Sequence, residues 1–422
     1  MADIGTYVIY VIMAFAVAGA IAAIRNDESG LGKEFMQGLY SIGPIFVPVA
    51  GIMASIPYLS QLINIVFGPL FQLIGADPAI AATTFIAVDM GGYQLAEALA
   101  DSKESWIMAM VVGYMGGATI VFSIPVGLAM LDKRDHKYMA LGIMSGILTV
   151  PLGVLITSSI LSWSSSSVRQ TISTDAEANY QLALTFPMIA ANLAPLIVIV
   201  VLIALGLRFL PDLMIKGFMW FGRIMDTGLK LVLVLSIVEY FTGAFSSLLG
   251  GWGFHPIIAD KEDQFRALEI AGYIGIMLSG AFPMVYVIKK YLAKPLESVG
   301  KGIGLTGVGS AGILATIANI LAMYRLIREM RPKDKVLNIS FAVCAAFLFG
   351  DHLAFTANFQ PTLILPIMLG KVGGGIIAIA LAYWISVPKA LELEKQDRAD
   401  GIISAEEYIT DEESAGEKTV NA

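Results

Sequence analysis

The sequence predicts an all-α polytopic membrane protein of the inverted-repeat transporter type. About nine transmembrane helices and two re-entrant segments are expected, up to eleven helices if those two cross. Three observations lead there: an apolar composition, the sidedness of Lys and Arg, and a weak internal repeat. Hydrophobic residues make up 57% of the 422 and charged residues 14%, with mean hydropathy +0.75. A soluble chain carries about 25% charged residues, so a water-soluble fold is disfavoured.

Each span needs about 20 apolar residues. Residues 4–24, 38–60, 105–131, 138–162, 187–210, 226–248, 267–290, 335–357 and 361–387 qualify. The first follows Asp3 with no base before it, unlike a cleaved signal, so it is expected to be retained. Two further segments, 79–100 and 305–328, are long enough but polar or glycine-rich. If both cross, alternate loops hold 11 and 10 bases; if both enter and return, the split is 17 to 4. The second arrangement satisfies the positive-inside rule. It leaves Lys103, Arg169, Lys261 and Arg266 outside, with the N-terminus outside and the C-terminus cytoplasmic.

Gly51-Ile52-Met53 recurs as Gly275-Ile276-Met277, Pro57 as Pro283 and Pro69-Leu70 as Pro295-Leu296. In the same register Asp89 falls near Asn319 and Gly117 near Asp351. Five crossings separate the copies, which makes them inverted, and such repeats meet at midplane through broken or re-entrant elements. The organisation expected is a first repeat at 1–165, an external loop and central helix at 166–212, a second repeat at 213–390, and an acidic disordered cytoplasmic tail at 391–422. That tail holds ten acids and three bases, which is the whole net charge of −7.

Ionisable groups inside hydrocarbon cost roughly 2.5–3.5 kcal/mol on insertion scales, so they mark function. Asp89, Tyr93 and Glu97 follow helical spacing and are expected on one face, with Gly91 and Gly92 admitting a ligand close to the backbone. Asp351, Phe355 and Asn358 form a second polar-aromatic face, where a carboxylate and a ring suit a small ammonium ion. His352, adjacent to Asp351, is expected to point elsewhere, toward a helix contact or a proton relay. Glu97 and Lys371 are candidates for ion pairing or coupling, Lys371 with Asp351 as the structural alternative. Thr119 and Ser123 share a face whose default role is helix bonding, and Asn319 sits on the segment entering from the opposite side. The glycines at 113, 116 and 117 suggest close helix packing. Cys344 is the single cysteine. No metal spacing, nucleotide-binding loop or nucleic-acid feature occurs, so no cofactor or metal is expected.

At Val88-Asp89-Met90-Gly91-Gly92, at Thr119-Ile120-Val121-Phe122-Ser123-Ile124-Pro125 and at Tyr138-Met139-Ala140-Leu141-Gly142 the chain resembles the ethanolamine permease family, the membrane component of ethanolamine utilisation operons. Phe341-Ala342-Val343, Phe349-Gly350-Asp351-His352-Leu353 and Gly370-Lys371 continue the likeness, which is collinear from about residue 74 to 375. It implies a permease rather than an enzyme, passing protonated ethanolamine across the bacterial inner membrane. Asp89 and Asp351 would be counter-ions, with Asn319, Thr119 and Ser123 bonding the hydroxyl or amine. Tyr93, His352, Phe355 and Asn358 complete the expected substrate set. Lipid and the small amine are the expected partners, and a homo-oligomer is compatible. The rivals are a transporter or channel for another small amine and an intramembrane aspartyl protease. The protease reading lacks the first glycine of Gly-x-Gly-Asp at Leu348-Phe349-Gly350-Asp351.

Overall fold

Helices dominate because apolar runs of this length leave the backbone no partner in lipid but itself. The computed structural model describes residues 2–404. Among them, strand is confined to a two-residue ladder pairing Ser167–Val168 with Tyr180–Gln181. Among the described residues, seven helices are long and apolar enough to cross a membrane: Ile4–Arg25, Gly30–Ala54, Lys103–Met130, Lys133–Ser164, Phe186–Phe209, Ala267–Gly302 and Pro361–Ile385. Two of the expected spans differ in character from these seven. Pro211–Thr242 has the length but carries Arg223, Asp226 and Lys230 mid-helix. Pro332–Ala345 stops short and resumes as Asp351–Phe359.

The segments at 79–100 and 305–328 do not run straight through. The first comprises Ala79–Phe85 and Gly92–Leu99, folded against each other as a hairpin. Its two ends meet at Asp77, whose Oδ1 accepts from Ala79 N (2.8 Å) and whose Oδ2 accepts from Asp101 N (2.9 Å). The second comprises Gly307–Ala318 and Ile320–Leu326. Its ends meet at Asp334, whose Oδ2 accepts from Thr306 N (3.0 Å) and Thr306 Oγ1 (2.5 Å). In both hairpins one buried carboxylate fastens the ends, using charge-assisted bonds stronger than neutral ones.

Each turn has a local cause. The Ala87 carbonyl accepts from both Met90 N and Gly92 N at 3.1 Å, closing a loop that needs Gly91 at φ 94°, a left-handed value glycine adopts freely. At the second tip Asn319 is extended, and its Oδ1 accepts from Leu321 N at 2.8 Å to cap the returning helix.

Two long helices loosen where the hairpins touch them. Residues 113–117 and 119–123 are wound as π-helix, a form that recurs at functional sites. A Cβ on Gly117 would stand 2.7 Å from the Ile86 carbonyl oxygen and 2.8 Å from that of Thr83, so only glycine lets this helix meet the first hairpin. Residues 346–350 leave the helix for a turn. There Phe347 N donates to Thr316 O (3.3 Å) and Phe349 N to Ile317 O (3.0 Å), so the second hairpin satisfies the freed backbone. Phe347 adopts φ 61°, strained for a residue with a side chain.

The loops sort onto two ends. One gathers Gln360 with Arg169, Tyr180 with Glu104, and His255 N with the Ala54 carbonyl. The other gathers Arg328 with Asp132, Lys335 with Asp135 (2.6 Å), and Lys137 with Asp397. The tail also departs from expectation. Disorder was expected from residue 391, yet Val387–Ala399 is helical and docks through Asp397, which also accepts from Tyr138 Oη at 2.6 Å. A buried acid with two partners anchors a stretch that composition alone marks as solvated. Residues 405–422 of the expected tail lie outside the described residues.

Candidate functional site

Both hairpin tips and the interrupted helix converge on one cavity of about 260 Å³. Asp89 comes from the first tip, Asn319 from the second, and Asp351 and His352 from the start of Asp351–Phe359. Gln37 and Ser41, at the bend between Gly30–Tyr40 and Ile42–Ala54, line it too, with Phe122, Phe282 and Phe347 as aromatic wall. His352 Nε2 lies 3.7 Å from Asp89 Oδ1, too long for a hydrogen bond. Asp89 Oδ1 and both His352 ring nitrogens are buried without a hydrogen-bond partner. Buried polar atoms are bonded in the great majority of cases, so three orphans on residues lining one cavity make it the candidate site. Asp351 begins a nine-residue helix, whose N-terminal dipole favours a carboxylate.

His352 is held from behind. Thr356 Oγ1 lies 2.6 Å from both the His352 carbonyl and Tyr114 Oη, and the Tyr114 ring packs edge-on to the imidazole at 5.0 Å. Lys371, 1% exposed, donates from Nζ to the Tyr114 carbonyl at 2.7 Å. That carbonyl belongs to the π-helical stretch, which explains why a lysine is tolerated in an apolar helix.

The structure separates residues that spacing groups together. Asp89, Tyr93 and Glu97 do not share one helical face, because the turn at Gly91 ends the register between the first and the other two. Asp89 faces the cavity. Tyr93 is fully buried, stacked on Trp106 at 4.5 Å and edge-on to Phe355 at 5.5 Å, and its Oη accepts from Gln360 Nε2 at 2.8 Å. Glu97 lies at a different, outer cavity, 3.8 Å from Lys103. Phe355 and Asn358 likewise sit outside the lining of the central cavity. Phe355 packs among aromatic rings, and Asn358 Nδ2 donates to the Tyr273 and Ala354 carbonyls. His352 does not point away from Asp351; both line the cavity, since the first turn of the helix spreads around it. Thr119 and Ser123 are buried in the π-helical stretch, where the Ser123 carbonyl accepts from Tyr324 Oη at 2.8 Å. No ion pair joins Asp351 to Lys371 among the described residues. Gln37 and Ser41 were missed, although Ser41, Pro44 and Pro48 flag a bent helix in the sequence.

The family described as "Ethanolamine utilisation protein, EutH" matches residues 4–385. A protein of Listeria monocytogenes named probable ethanolamine permease EutH is 37% identical over 385 residues, covering 91% of this chain and 95% of the relative. Its namesake in Escherichia coli is 34% identical, covering 92% and 96%. YxeR of Bacillus subtilis, described as uncharacterized, is 32% identical, covering 92% and 97%. No solved structure matches the chain.

Proposed function

The chain belongs to the EutH family of ethanolamine utilisation proteins, and from that premise we propose that it is a permease carrying ethanolamine as its ammonium ion through the cavity between the hairpin tips. Primary aliphatic amines are protonated at neutral pH, as lysine is. The charged form cannot shed water into hydrocarbon without a partner. Asp89 and Asp351 supply the counter-charge. Asn319 Oδ1 is committed to its cap, which leaves the amide nitrogen to donate to the substrate hydroxyl. The observation that carries the reading is the set of orphaned atoms, Asp89 Oδ1 with the two His352 nitrogens, on residues lining a cavity with ample room for a two-carbon amino alcohol.

Tyr93, Trp106, Phe355 and Phe359 pack ring to ring, and in this reading they form the aromatic layer that separates the central cavity from the outer one. In the proposed topology the chain crosses the inner membrane nine times, with the hairpins entering from opposite faces as members of inverted repeats. Alternating access then amounts to rocking one hairpin and its neighbours against the other. The N-terminus lies outside, on the end that holds Arg169 and Lys103, and Val387–Ala399 lies in the cytoplasm.

The test is uptake of labelled ethanolamine by purified protein in liposomes. Removing one partner of a buried charge pair costs about 3–5 kcal/mol, so Asp89→Asn and Asp351→Asn should each lower uptake by roughly 100-fold or more. Undiminished uptake in correctly folded variants would rule out the counter-ion role.

A further inference from the structure

The outer cavity, about 390 Å³, is lined by Gln94, Glu97, His255, Asp263 and Arg266. We propose that it is a second binding site for the same protonated amino alcohol, a waiting position ahead of the aromatic layer; this rests on the transport reading above. Gln94 carries the argument. It is 4% exposed, it lines the cavity, and neither its Oε1 nor its Nε2 has a hydrogen-bond partner. An amide buried with both ends unbonded is rare, because each lost bond is paid in full desolvation.

A ligand offering one donor and one acceptor satisfies both ends together, which an alcohol hydroxyl does. The ammonium then faces carboxylates. Glu97 lies three residues on from Gln94, on the same helical face, and its bond to Lys103 is loose at 3.8 Å. Asp263 faces it across the cavity, 3.3 Å from Arg266 Nη1. The neighbouring residue Tyr93 points the other way into the aromatic layer, so one hairpin joins the two sites: Asp89 at its tip, Gln94 and Glu97 on its outer arm.

Gln94→Leu keeps the volume and deletes the unbonded amide, which gives the test a signature that a merely structural residue lacks. The variant should melt at an equal or higher temperature, yet its half-saturation for ethanolamine uptake should rise about tenfold, with the saturated rate unchanged. With ethylamine, which has no hydroxyl, the same substitution should change nothing. In the Asp89→Asn background, titration calorimetry should retain a weak ethanolamine site, and adding Gln94→Leu should remove it. An unchanged half-saturation in Gln94→Leu, an equal effect on ethylamine, or no residual binding in Asp89→Asn would overturn the proposal. Failure of the central-cavity reading would show separately, as undiminished uptake by Asp89→Asn alone.

Discussion

His255 shows how a single side chain ties the outer cavity to pH. Burial and the nearby Arg266 guanidinium hold its imidazole below the ordinary value of 6.5, while Asp263 pulls weakly the other way. The unfolded chain therefore takes up the proton first as pH falls. Stability from this group is complete above about pH 6.5 and is lost on acidification below it. Melting temperature should fall between pH 7.5 and 5.5, and His255→Gln should flatten that slope; an identical slope in the variant would show that other groups set it. At this scale the sequence was informative about chemistry and poor about direction. Asp89, Asn319, Asp351 and His352, which line one cavity, stood out in the sequence as polar groups in apolar runs. Tyr93 and Phe355 were expected at the substrate because helical period names residues sharing a face but not what that face meets; here it meets aromatic rings.

The hairpins are the elements on which the cavity depends, and each hangs on one acid. Asp77→Ala removes the bonds to Ala79 N and Asp101 N, and Asp334→Ala those from Thr306. Bonds to a charged group contribute about 1.5–3 kcal/mol each, so losing two should destabilise the protein by about 3–6 kcal/mol in either variant. Uptake should fall with it, because the tip shifts relative to Asp351. Thermal unfolding in detergent checks this; a loss under 0.5 kcal/mol would show that packing alone fastens the hairpin. The fold-back of 79–100 and 305–328 was readable from Lys and Arg placement, since charge sidedness constrains which end a loop occupies. The π-helical winding of 113–123 and the break at 346–350 were not. Both arise from tertiary contact with a hairpin, through Gly117 and through the Thr316 and Ile317 carbonyls, which no local propensity encodes.

Across the whole molecule the bases are unevenly shared. The end holding Asp132, Asp135 and Asp397 gathers Arg328, Lys335 and Lys137, while Arg169 and Arg266 lie at the other. That asymmetry predicts opposite sidedness for Lys103 and Lys137. Cys344 is buried, so a membrane-impermeant maleimide applied to intact cells should label Lys103→Cys and spare Lys137→Cys. Labelling of the second alone would reverse the orientation, and labelling of both would contradict opposite sidedness. The docking of Val387–Ala399 was hidden because its charged composition reads as solvated, and only the partners of Asp397 make it part of the fold.

The central proposal is that Asp89 and Asp351 together hold the amine's charge. Equilibrium binding of labelled ethanolamine to the purified protein, with and without Asp89→Asn plus Asp351→Asn, measures that directly. The doubly substituted protein, folded and with its melting temperature retained, should bind at least about 100-fold more weakly. Equal affinity in the two proteins would show that these acids do not hold the amine.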